Sequence, residues 1–120
     1  LDSVSLVDAR QPDVYFGASE SPYTERAGHI PGATSLPAPW IWTDAGRVRA
    51  EAELAAMVDS VVGADRSASI VAYCGASPFS IAWRYVMRDL LGYEDVTVYH
   101  GAAEEWSGDP DAPMNQYCWE

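Results

Sequence analysis

Cys74 stands where an apolar run stops and a helical pattern is about to begin, in the stretch "VAYCGASPFSIAW". Five uncharged residues, Gly75, Ala76, Ser77, Pro78 and Phe79, separate it from Ser80, where a helical period starts. A thiol so placed lies at the mouth of a helix N-terminus. Unpaired amide N–H groups and the positive end of the helix dipole stabilise a negative sulfur there, which makes a nucleophile. Small, uncharged loop residues let backbone N–H groups converge on one point, although Pro78 withholds one donor. The same placement also suits a buried, inert cysteine, since a free Cys is among the most buried residue types. Spacing alone leaves both readings of Cys74 standing.

Two further groups are expected on the same edge. Asp8 and Arg10 follow the first apolar strand, and His100 follows the last. In an open parallel α/β sheet, ligands bind at the carboxyl ends of the strands. Arg10 is a candidate for holding an anion or for bracing the loop through Asp8. The competing reading is an ion pair that only fixes the first turn. His100 could steady a thiolate, or be a solvated strand-end histidine.

The elements that must position these residues are legible as patterns. "VSLVDA" (4–9) reads as a buried strand, "QPDVYFG" as a helical turn ended by Gly17, and "ATSLP" as a short strand before Pro37. Between them, "ASESPYTERAGHIPGA" reads as loop and "PAPWIW" as an aromatic connector. From 50 to 62, Leu54, Met57, Val58, Val61 and Val62 share one helical face opposite Glu51, Glu53 and Asp59, and Gly63 suits the cap. "SIVAY" (69–73) is a near-continuous apolar strand, as expected where both faces of a parallel sheet are covered. A helix is expected over 80–91, with Ala82, Val86 and Leu90 stacked, Arg84 and Arg88 on its polar edge and Gly92 closing it. "VTVYH" (96–100) is a last strand and "GAAEEW" (101–106) a last helix. Alternating strands and helices specify a parallel α/β sheet. One domain over residues 1–107 is expected, with an irregular tail over 108–120.

Composition excludes some function classes. The 120 residues are 48% apolar and 21% charged, a globular balance. The net charge is −11, from 18 acidic residues against seven basic ones. All seven are Arg, and there is no Lys. Nucleic acid and an anionic membrane surface both need basic patches, so neither is an expected partner. The acidity by itself serves solubility. No apolar run approaches the ~18 residues of a membrane span, and no signal peptide is visible. A cytoplasmic protein is therefore expected. The abrupt opening on "LDSVSLVDAR" suggests that something upstream of Leu1 is missing. Two cysteines, Cys74 and Cys118, make no disulfide framework, and no CxxC pair suggests a metal.

"LVDAR", "GHIPGA", "IVAYCGASPFS", "LLGYEDVTVYHG" and "EEW" occur in this order over about Leu6 to Trp106. Together they resemble a rhodanese-like domain of the sulfurtransferase family. The resemblance implies a five-stranded parallel sheet flanked by helices on both faces, with the usual first strand, before "VSLVDAR", missing or barely present. It implies that Cys74 carries a sulfane sulfur as a persulfide, with Gly75, Ala76, Ser77, Phe79, Ser80 and Arg10 around the substrate. It also implies no cofactor and no metal. The donor is expected to be a small sulfur anion such as thiosulfate, or a persulfide. The acceptor is expected to be cyanide, a thiol or a protein.

The sequence also departs from the family pattern. Ser77 takes a usual Gly place, and Phe79 that of an Arg or Thr. Counted to "LLGY", the segment is one residue longer than in common relatives, so the loop could run from Cys74 to Ser80. Loops of that length resemble those of Cdc25-type phosphatases and arsenate reductases, which end in an Arg where this chain has Ser80. A phosphatase or arsenate reductase of the same fold is one alternative, and a non-catalytic module that binds a protein is another. Val14 occupies the place of an Arg found in mercaptopyruvate-specific relatives, and Arg26, before "GHIPGA", could supply a substitute charge. His29 matches a histidine that the family uses structurally, and Trp106 its structural Trp. Trp40 and Trp42 could wall the pocket but suit packing better. Cys118 is either incidental or a resolving thiol.

Overall fold

The computed structural model describes residues 4–22, 24–75 and 78–120. Four strands form one parallel sheet: β1 (Val4–Asp8), β2 (Thr34–Ser35), β3 (Ser69–Tyr73) and β4 (Asp95–Val98). Their spatial order is β2-β1-β3-β4. The register runs Val4 opposite Ser69 through Asp8 opposite Tyr73, then Ser69 opposite Asp95 through Ala72 opposite Val98. Among the described residues the sheet thus has four strands rather than the expected five. The strand that the resemblance places ahead of Val4 falls outside them, and β4 forms an edge of the sheet.

Alternation along the strands feeds two cores. Val7 and Ile70 point to one face, where they meet α2 (Glu51–Val62) and α3 (Pro78–Tyr85) through Leu54, Val58 and Trp83. Leu6 and Tyr73 point to the other, where they meet α1 (Pro12–Phe16) and α4 (Ala102–Gly108) through Tyr15 and Ala103. Covering both faces is what lets "SIVAY" be apolar at consecutive positions. The helix expected over 80–91 starts earlier and changes pitch. It opens on Pro78, whose missing N–H costs nothing at the first helical position. After Tyr85 it becomes a π-helix, Val86–Leu90, with Leu91 N–H bonded to Val86 O. Val86 and Met87 are both buried, and Gly92, at φ +82°, follows the last turn.

A polar clasp joins α2 to the segment beyond the π-helix. Tyr93 donates to Asp59 Oδ1 at 2.5 Å, and Arg66 Nη1 donates to the same oxygen at 2.8 Å. These bonds, Tyr93 first and Arg66 second, hold the Asp59 carboxyl below its ordinary range. A carboxyl with a depressed folded pKa contributes stability above its unfolded value, and loses it as pH falls through the folded one. Asp59→Asn is therefore expected to flatten the acid limb of stability below about pH 3.9. Denaturant unfolding between pH 2 and 5 reads this directly. Equal slopes for both proteins would show that the clasp carries no acid-labile stability.

Beyond Gly108 the chain has no further helix or strand, but it is packed. The isolated bridge between His29 and Asn115 is antiparallel, with N–H to O distances of 2.9 Å in both directions. Gly28, at φ +106°, lies so close that a Cβ there would collide with Asn115 O. Glycine is thus required at this point of "GHIPGA" both by backbone conformation and by the tail's approach. No helix among the described residues is long and apolar enough to cross a membrane.

Candidate active site

Strand register decides which residues meet. Asp8 lies opposite Tyr73, so the carboxyl ends of β1 and β3 deliver Arg10 and Cys74 to one edge of the sheet. Ala9 N–H continues the ladder to Tyr73 O at 2.8 Å. Cys74 is buried, with 1% of its surface exposed. Its Sγ lies 3.6 Å from Ser80 Oγ, which belongs to the first turn of α3 and is itself buried. Helix α3 thus begins within the stretch expected to be loop, and its N-terminal turn faces the sulfur. From the other side, Ala103 N–H and Glu104 N–H of α4 donate to the carbonyls of Cys74 (2.9 Å) and Gly75 (3.3 Å).

Cys74 and Gly75 share a cleft of about 390 Å³ with Arg10, Gln11 and Val14 from the α1 side. Ser21 and Pro22 close it from the following loop, and Pro78 and Phe79 from α3. Phe79 is 39% exposed and adds an apolar wall. The only charged group among these lining residues is Arg10.

Arg10 is 4% exposed and its partners are fixed. Nε donates to both Asp8 oxygens (3.0 and 3.1 Å), and Nη2 to Asp8 Oδ2 and Gly28 O, both at 2.6 Å. Burial opposes its charge, but the hydrogen bonds and charge of Asp8 prevail, so its pKa is raised. Nη1 is buried and makes no hydrogen bond. Tyr73, beneath the guanidinium at 5.6 Å, is pushed well above an ordinary phenol, first by burial and then by the Asp8 charge. The arrangement places a nucleophilic atom type, a permanent cation whose buried Nη1 amino group is unbonded, and apolar walls around one small volume.

The family model for the rhodanese-like domain matches residues 1–109. The chain belongs to the rhodanese-like family. Among curated relatives it is 32% identical over 116 residues to the "Putative thiosulfate sulfurtransferase 1" of Mycobacterium bovis, covering 92% of this chain and 42% of that protein. It is 34% identical over 117 residues to the "Putative thiosulfate sulfurtransferase" of Haloferax volcanii, covering 92% of this chain and 40% of that protein. The chain therefore spans well under half the length of these relatives. The fold is similar to the anaerobic ergothioneine biosynthesis enzyme of Chlorobium limicola, solved with trimethyl histidine. Their TM-score is 0.82 at 23% identity, over 97% of this chain and 29% of that one.

Within this rhodanese-like domain, the other candidate residues lie in several places. Ala76 and Ser77 are outside the described residues. Arg26 is engaged away from the cleft, with Nε bonded to Ser107 O (3.0 Å) and Nη2 to Trp106 O (3.3 Å) and Asp109 O (2.8 Å). His100 lines a separate groove of about 360 Å³ between α3 and the β4 edge, beside Arg84 and Val98. His29 is fully buried. Trp40 and Trp42 are 49% and 41% exposed and do not line the cleft. Neither Cys74 nor Cys118 is joined in a disulfide. Gln11, Ser21 and Pro22 are wall residues that no motif points to, whereas Val14 stands where mercaptopyruvate-specific relatives carry an Arg. Gln11 and Val14 had a signal in spacing, one residue and about one helical turn beyond Arg10. The place of Ser21 and Pro22 comes from the fold of the loop.

Proposed function

We propose that this chain is a rhodanese-type sulfurtransferase whose nucleophile is Cys74. The observation that carries the reading is the shared cleft, with Cys74 at the end of β3 and Arg10 opposite. The Cys74 thiolate attacks the outer sulfur of a donor such as thiosulfate. A new S–S bond forms, the donor's S–S bond breaks, and sulfite leaves with the bonding pair. A thiophile such as cyanide, a thiol or a protein persulfide acceptor then takes the outer sulfur and regenerates the thiolate. The two half-reactions give ping-pong kinetics. Arg10 faces the anionic end of the donor, and Ser80 Oγ lies within reach of the reacting sulfur. On this reading residues 1–107 form the catalytic module. A thiosulfate–cyanide assay run beside an aryl-phosphatase assay tests it. Phosphate release without thiocyanate would favour the phosphatase alternative, and silence in both would favour a binding module.

Charge sets an expectation for thiosulfate. The donor is a dianion, the protein carries −11, and the cleft offers one guanidinium already paired to Asp8. Long-range repulsion slows encounter, and salt relieves it, since screening acts over roughly 10 Å at 0.1 M. The KM for thiosulfate is expected to be high and to fall as salt rises from low to moderate. Phe79→Arg puts a cation on the cleft wall and is expected to lower KM roughly fivefold, the ~1 kcal/mol of a partly exposed ion pair. Steady-state kinetics across a salt series measure both. Tight binding that weakens with salt would mean that an attractive local field outweighs the acidic surface.

A further inference from the structure

We propose that His29 is doubly protonated when the C-terminal segment is docked, and that its second proton latches residues Asn115–Glu120 over α1. The argument is one of hydrogen-bond accounting. His29 Nδ1 lies 2.8 Å from Tyr15 O, and Nε2 lies 2.9 Å from Glu120 O. Both partners are main-chain oxygens, which only accept, and a neutral imidazole owns one N–H. A neutral ring, itself fully buried, would therefore press a lone pair against one of these two main-chain oxygens. Only the imidazolium satisfies both contacts. Its ring also stacks on Tyr15, with centroids 3.8 Å apart and planes within 5°, a geometry that favours a cation over an aromatic face.

The surrounding charges are few. Asp8, Cys118 and Glu120 act on Tyr15, the stacking partner. Arg10 opposes a second cation from the Gly28 side, but Asp8 neutralises it. Tyr73 accepts the Ile30 N–H as a neutral phenol (3.0 Å). The sign follows by linkage. If docking holds the proton, the proton holds the docked segment, so docking is favoured at low pH and weakens as pH rises past loss of that proton.

The consequence reaches the cleft. Helix α1 has five residues, too few to persist alone. The segment grips its far end, through Tyr117 N–H to Phe16 O (2.6 Å), Gln116 Nε2 to Gly17 O (3.1 Å) and Trp119 against Phe16 at 4.8 Å. The first turn of α1 carries Val14 on the cleft wall. The latch itself does not rest on the sulfurtransferase reading.

The test is a pH titration of the full ¹⁵N-labelled chain by NMR, continued until the His29 ring loses its second proton. The sequence has two histidines, so a His100→Gln variant assigns the ring. Both His29 nitrogens are expected to carry protons at pH 5. Exchange of the Asn115 and Tyr117 amides, corrected for intrinsic base catalysis, should rise at least tenfold in step with deprotonation, while the Val71 amide in the sheet stays protected. His29→Phe keeps the stack without the donors, and the step should vanish in it. Two outcomes would overturn the proposal, and the wild-type titration reaches both even if that variant does not fold. One is a singly protonated ring at pH 5 with both amides protected. The other is deprotonation that leaves their protection unchanged.

Discussion

A Cys74→Ser protein is expected to take up no sulfur from thiosulfate, whereas the wild type gains the mass of one sulfur atom and returns it to cyanide. Serine is nearly isosteric in this buried position, so the fold should persist while turnover falls by roughly 10³-fold or more, as when a nucleophile is removed from an acting unit. Its hydroxyl would still sit beside Ser80 Oγ, but an alkoxide is not accessible where a thiolate is. Cys118→Ser is the internal control. Cys118 is partly exposed in the tail, and its Sγ lies 3.4 Å from Glu120 O rather than in the cleft wall. Intact-mass measurement after thiosulfate and again after cyanide reads both variants. Sulfur uptake that survives Cys74→Ser and disappears in Cys118→Ser would assign the nucleophile to the tail and refute the proposed mechanism.

The second large effect is on stability. Arg10→Met leaves Asp8, fully buried, without the guanidinium that meets both its oxygens. Removing one partner of a buried pair costs about 3–5 kcal/mol, because the remaining charge is uncompensated. For a domain of this size that corresponds to a fall in Tm of about 10–20 °C. The double variant Asp8→Leu/Arg10→Met removes both charges and should recover much of the loss. Stability of the single variant should also improve as pH falls, because the stranded carboxyl can then protonate. Denaturant unfolding of the three proteins measures the pair. A loss below about 1 kcal/mol in Arg10→Met would show that Asp8 finds other compensation, and that the pair does not organise this edge.

Both predictions rest on residues whose place was legible from the chain alone. Local patterns carried the elements: "SIVAY" is a strand over 69–73, and the five apolar residues of α2 all face the core. Cys74 at a strand end needs only the order of strand and helix. Asp8 and Arg10 reach the same edge because parallel strands align their carboxyl ends, so the sequence order implies the neighbourhood.

What only the tertiary structure decided lies in contacts between distant segments. The π-helix over Val86–Leu90 has no signature in the sequence, whose 3.6-residue period runs on to Leu91. Arg26, near the cysteine in no local sense, is captured by carbonyls about 80 residues away. His100 is expected to end the last strand, but β4 stops at Val98, and His100 lies two residues beyond it in a turn, facing the groove at the β4 edge. The tail reads as irregular because its partners are not its neighbours. His29 meets Asn115 and Glu120 across 86 and 91 positions, and Gly28 makes the room. Periodicity reports the environment of a residue within a turn or a strand. It carries no information about which backbone carbonyl lies opposite a ring nitrogen once the chain has closed on itself.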